Sequence, residues 1–97
     1  MSATNKLSEA ERLAETLGAI IGAASCCEQV TEERLDAVIT KLRPLILATA
    51  NDGPDAQSAN ERFSVAIDAG RTAAESGKID PENAEEALRE METELSA

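Results

Sequence analysis

The sequence predicts an all-α fold, an antiparallel four-helix bundle that dimerisation would complete. Three observations predict it. Apolar residues recur at steps of three and four along the chain, and no alternating strand pattern appears. Ala, Leu and Glu, all strong helix formers, dominate the helical segments. Turn and cap clusters at Val30-Thr31, Asn51-Asp52-Gly53-Pro54 and Gly77 to Pro81 divide the chain into four segments with short connections.

The first helix is expected over residues 8–29. Ser8-Glu9-Ala10-Glu11 is a capping box, with Ser8 as N-cap and Glu11 reaching back to it. Ala10, Leu13, Leu17, Ile20, Ala24 and Cys27 then form a heptad stripe, widened by Ala14 and Ile21. The second helix is expected over 31–50. Thr31 caps it, and Glu32 and Glu33 favour the positive end of its dipole. Its stripe is Leu35, Val38, Leu42, Leu45 and Thr49, flanked by Ile39 and Ile46. Pro44 removes an amide and predicts a kink or a short break between Leu42 and Leu45.

The third helix is expected over 55–76, starting at Pro54 or at a second capping box, Ser58 with Glu61. Its stripe of Ala59, Phe63, Ala66, Ile67, Gly70 and Ala73 is thin. Gly77 suits the residue after a helix end. Asp80-Pro81-Glu82 supplies an N-cap, a first-turn proline and a first-turn acid for a fourth helix over 81–95, with Ile79 placed to staple on Ala84. That helix should bury Ala84, Leu88, Met91 and Leu95. The chain reads as one helical domain over 1–97, with 1–7 disordered and the first two helices forming the apolar centre.

Composition narrows the chemistry. The chain has no His, Trp or Tyr, one Phe and a formal net charge of -10. Without His it lacks the usual general base near neutral pH and the commonest transition-metal ligand. A non-catalytic protein without cofactor or metal is expected. Met1 to Lys6 has no apolar core, and the longest uncharged run, Thr16 to Cys27, has 12 residues. A spanning helix needs about 20, so no membrane contact and a cytoplasmic location are expected. Of the apolar residues 18 are Ala, and large ones concentrate before residue 50: thirteen Leu, Ile and Val from Leu7 to Leu47 against seven large residues after Asn51. The first half therefore offers more apolar surface than the second readily covers, which motivates a homodimer or another partner.

Two features of helix one bear on that. Cys26 and Cys27 supply two adjacent thiols, too few for a closed metal site, and free Cys behaves as a small buried hydrophobe. Ala14, Gly18, Gly22 and Cys26 lie at i, i+4 on one face. Two interior glycines cost about 1 kcal/mol each relative to Ala, and close approach of another helix backbone would offset it. That helix belongs either to the same chain or to a second copy. The expected dimer interface is Leu13, Leu17, Gly18, Ile20 and Gly22.

The acids are unevenly spread. Residues 78–97 carry seven acids and two bases, and Glu82, Glu86, Glu90 and Glu94 form one i+4 ridge. Like charges at this spacing destabilise a helix, so helix stability alone does not select the pattern. Six glutamates, Glu82, Glu85, Glu86, Glu90, Glu92 and Glu94, occupy about 20 Å of helix, a charge density comparable to one strand of B-DNA. They are the expected contacts to a protein with a basic surface, and such a surface would not itself bind nucleic acid. The competing reading is a solvated face that maintains solubility. Small acidic inhibitors of DNA-binding machines, phage anti-CRISPR and DNA-mimic proteins among them, are similar in size and charge; the likeness is compositional. The expected function is an acidic regulator or inhibitor that docks on a basic, nucleic-acid-handling partner. The alternative is a homodimeric structural or adaptor protein using the apolar face of helices one and two. A thiol-based metal or redox protein ranks last.

Overall fold

In the computed structural model, which describes residues 8–50 and 54–96, the chain folds into four helices: α1 (Glu9–Ala24), α2 (Glu32–Thr49), α3 (Pro54–Glu75) and α4 (Pro81–Ser96). The expectation of disorder at 1–7 and the Asn51-Asp52-Gly53 part of the second turn lie outside the described residues. The end of α2, at Leu42 and Leu45, and the end of α4, at Met91 and Leu95, both meet the start of α1 at Leu13 and Leu17, so both run antiparallel to α1, and the molecule is flat, 41 × 31 × 17 Å.

The helix pairing departs from the sequence expectation. The most extensive contact joins α1 to α3, not α1 to α2. These two helices run parallel, because Glu11 meets Ser58, Gly18 meets Phe63 and Gly22 meets Ile67. Small residues explain the preference. A Cβ at Gly22 would lie 1.8 Å from the Ile67 carbonyl oxygen and 2.8 Å from the Arg71 amide nitrogen. At Gly18 it would lie 2.7 Å from the Phe63 oxygen, and at Gly70 2.2 Å from the Ala19 oxygen. Three glycines thus let two backbones touch. Gly18 and Gly22, two residues of the expected dimer interface, are thus buried against α3 of the same chain.

This pairing also turns α1 about its axis relative to the leucine stripe. The fully covered face is Ala10, Ala14, Gly18, Ile21 and Gly22, while Leu13, Leu17 and Ile20 are only partly buried at the flank of the core. Each helix contributes one large side chain with almost no exposure: Ile21, Ile46, Phe63 and Leu88. α2 packs across α1 and α3, and α4 packs chiefly on α1 and touches α2 little.

Helix ends follow local chemistry. The Ser8 hydroxyl accepts from the Glu11 amide at 3.1 Å and the Glu11 carboxylate accepts from the Ser8 amide at 3.0 Å. The Thr31 hydroxyl caps α2 through the Arg34 amide at 3.1 Å. α1 ends at Ala24 rather than near Gln29. There the Ser25 hydroxyl donates to the Gly22 carbonyl, and the Cys26 and Cys27 amides tighten to i−3 partners. α2 runs unbroken through Pro44, which leaves the kink as the remaining one of the two expected outcomes. At the end of α3 Gly77 adopts φ 81°, and the amides of Gly77 and Lys78 donate to Ala74 and Ala73. That double bond pattern satisfies the last carbonyls. Asp80 then caps α4 through the Glu82 amide at 3.0 Å. No helix among the described residues is long and apolar enough to cross a membrane.

Candidate functional site

The six glutamates expected to bind a partner separate into two groups. Glu82, Glu86, Glu90 and Glu94 are exposed, and among the described residues none of them forms an ion pair. Each step of four residues advances the ridge about 40° around the helix, so it winds across the outer face of α4 toward its last turn.

Glu85 and Glu92 are engaged within the fold. Glu85 is 5% exposed. Arg34 of α2 reaches both carboxylates. Its Nε donates to Glu92 Oε2 at 2.9 Å, and its Nη2 donates to Glu92 Oε1 at 2.7 Å and to Glu85 Oε2 at 2.9 Å. Arg89 donates to the other Glu85 oxygen at 2.8 Å. The Arg34 hydrogen bonds hold both carboxyls below the usual carboxylate range, against the desolvation that would raise them. The same bonds raise Arg34, whose charge is permanent in any case. Sequence spacing shows that Glu85 and Glu92 share a side of α4, but not that α2 presents a guanidinium there.

A second ion-pair cluster joins α1 to α3. Glu11 serves the capping box and also accepts from the Ser58 hydroxyl at 2.5 Å and from Arg62 Nε at 3.1 Å. Arg62 donates further to Glu15 at 3.0 Å. Ser58, a candidate N-cap from sequence, lies within α3 and acts as a donor between helices. The bonds from Ser58, the Ser8 amide and Arg62 hold the Glu11 carboxyl at about 2 rather than 4.5.

These depressed carboxyls set the acid stability. Their folded values lie below the unfolded ones, so their contribution is fully present above pH 4.5 and is lost as pH falls through the folded values, toward 2 for Glu11. The chain has no His to titrate between pH 5 and 7. The midpoint of thermal unfolding should therefore change little across that range and fall between pH 4.5 and 2. Circular dichroism melts across this range test it, and Glu11→Gln should flatten the acid limb. An unfolding midpoint that collapses above pH 5 would contradict the assignment.

The cysteines do not continue the α1 face as expected. Cys26 sits exposed in the turn after the helix, its Sγ 3.7 Å from the Arg71 carbonyl, and Cys27 is half-buried at the edge of the core. Both are free thiols facing a shallow depression shared with Asp80 and Glu82. Among the described residues no group of three or more His, Cys, Asp or Glu is arranged to hold a metal ion.

The leucines left beside the α1–α3 contact form the other notable surface. Leu13 and Leu17 of α1, Leu42 and Leu45 of α2, and Met91 and Leu95 of α4 line a groove of about 340 Å³. Leu45 is 48% exposed. Glu94 also lines this groove, so the acidic ridge of α4 ends at its wall. Leu13 and Leu17 are residues of the expected interface, and the structure sets Leu45, Met91 and Leu95 beside them. In the sequence Leu45 sits on an apolar stripe, which shows periodicity but not how far a neighbouring helix covers it.

No family model, no curated protein and no solved structure matches the chain.

Proposed function

We propose that the chain is a non-catalytic, cytoplasmic protein-binding module, a regulator or inhibitor that docks on a basic, nucleic-acid-handling partner through the outer face of α4. One observation carries the reading. Arg34, Arg62 and Arg89 neutralise Glu85, Glu92, Glu11 and Glu15, yet the ridge of Glu82, Glu86, Glu90 and Glu94 makes no ion pair among the described residues. These three arginines serve the fold, while the four acids of the ridge are left in repulsive register. Glu85 and Glu92 drop out of the proposed surface because Arg34 already holds them.

Glu86→Gln with Glu90→Gln tests this reading. The pair breaks all three repulsive i, i+4 steps of the ridge and leaves Glu82, which favours the helix N-terminus, in place. Stability should rise by about 0.5–1.5 kcal/mol. A panel of Lys/Arg-rich DNA-binding domains, each holding a fluorescent duplex, provides the functional assay. The parent protein should displace duplex from members of the panel. The double variant should do so several-fold less well at low salt, because long-range attraction steers the encounter, and the difference should shrink at high salt. Equal displacement by parent and variant, or none by either, rejects the ridge as a working surface.

A further inference from the structure

We infer that the groove between α2 and α4 receives a basic amphipathic helix of a partner protein, with α1 as its floor. The inference deepens the proposed function, since it rests on reading the chain as an acid-bearing docking module, and it assigns the apolar half of the contact.

The groove is open because α2 and α4 touch each other little, while both lean on α1. Between them lie Leu13 and Leu17 on the floor, Leu42 and Leu45 on one wall, and Met91 and Leu95 on the other. These are large, flexible side chains, and Leu45 is 48% exposed within a helix that buries Val38, Leu42 and Ile46. A contiguous apolar patch rimmed by polar residues marks an interaction surface more often than isolated exposed leucines do. Each helix offers a pair of side chains about one turn apart. That length suits an occupant that inserts anchors at i, i+3 or i+4, and i+7, the helix-in-groove mode.

Charge decides which occupant. Glu94 is the one charged residue in the groove lining, and no Lys or Arg lines it among the described residues. An occupant that excludes water from this site must supply a cation to Glu94, because a desolvated carboxylate without a partner is costly. A second copy of the chain meets that requirement poorly. A two-fold contact places the same patch on both sides, so each Glu94 would face a patch whose charge is also Glu94, between chains of net charge -10. A helix with leucine-like anchors and Lys or Arg on the flanking face satisfies both the apolar walls and the acid.

Three synthetic peptides of equal length test the inference against the full-length protein labelled for NMR. The first is an amphipathic Leu/Lys helix, the second has the same residues permuted to destroy amphipathicity, and the third is an amphipathic Leu/Gln helix. The first should bind one-to-one, shift the methyl resonances of Leu13, Leu45 and Met91, and bind at least tenfold more tightly than the other two. Leu45→Glu should weaken that binding at least tenfold with little change in melting temperature, since Leu45 is already half exposed. Glu94→Gln should weaken it severalfold at low salt. Equal binding of the first and second peptides, with shifts confined to Glu82, Glu86 and Glu90, overturns the groove and leaves the ridge standing. Equal binding of the first and third overturns the basic occupant. Self-association of the free protein that Leu45→Glu abolishes assigns the groove to a second copy and likewise overturns the inference. Contacts from residues 1–7 to Met91 in the free protein would do the same. Tight groove binding by the first peptide that Glu86→Gln with Glu90→Gln leaves untouched supports the groove while rejecting the ridge.

Discussion

Gly22→Ala is expected to destabilise the protein by about 2–3 kcal/mol, although Ala is the better helix former by about 1 kcal/mol. The two effects oppose each other, and contact geometry decides between them. The new methyl would fall 1.8 Å from the Ile67 carbonyl oxygen, which is backbone and has no rotamer through which to escape. α3 would have to retreat by more than an ångström, which also loosens the contact of Gly70 on Ala19 and the burial of Phe63. For a domain of this size the loss corresponds to a fall of about 10–20 °C in the midpoint of thermal unfolding. Chemical denaturation of parent and variant measures it directly. A variant as stable as the parent, or more stable, would show that α1 and α3 do not meet backbone to backbone.

The second large effect is expected at Arg34. Arg34→Met removes four charge-assisted hydrogen bonds and leaves Glu85, almost fully buried, with Arg89 as its remaining cation. A loss on the order of 1–3 kcal/mol follows from stranding a buried acceptor; the value is moderated because Arg34 keeps 23% exposure and Arg89 stays. The damage should be local. α4 rests chiefly on α1 and is tied to α2 by this guanidinium, so its amides should exchange with deuterium faster than those of α1 and α3. Arg34→Lys should restore only part of the loss, because an ammonium cannot span two carboxylates as the planar fork does. Adding Glu85→Leu to Arg34→Met should recover much of it, since the stranded acceptor is then gone. Uniform exchange across all four helices would reject the view that Arg34 specifically secures α4.

The parts of this fold legible in the sequence are those governed by neighbours along the chain. Ser8 with Glu11, Thr31, Gly77 and Asp80-Pro81 each announce a helix boundary through local hydrogen bonding, and each boundary lies where that chemistry places it. Pro54 rather than Ser58 opens α3, and the Ser58 hydroxyl, free of any capping role, bonds Glu11 of another helix. Periodicity also revealed the glycine face of α1. It did not reveal which face lies at the centre, because hydrophobicity ranks Leu13 and Leu17 above Gly18 and Gly22. Backbone proximity reverses that order, with the glycines buried and the leucines left at the flank. The candidate surface was legible to the same extent. The i+4 ridge of Glu82, Glu86, Glu90 and Glu94 could be read from spacing alone, whereas the roles of Glu85 and Glu92 depended on Arg34, more than fifty positions earlier.

The parallel α1–α3 contact has a consequence for how the chain is made. The groups that meet across it are separated by about 45 residues: Glu11 with Ser58, Glu15 with Arg62, Gly22 with Ile67. α1 therefore emerges from the ribosome well before its mate does. Its two glycines weaken it as an isolated helix, and its small-residue face gains nothing until the loop holding all of α2 has closed. A hairpin of α1 and α2 is the structure available in the interval, and it leaves unburied the face that the finished bundle covers most completely. Emergence of the chain from the ribosome to about residue 71 is thus the point at which it first acquires the means to bury its own centre.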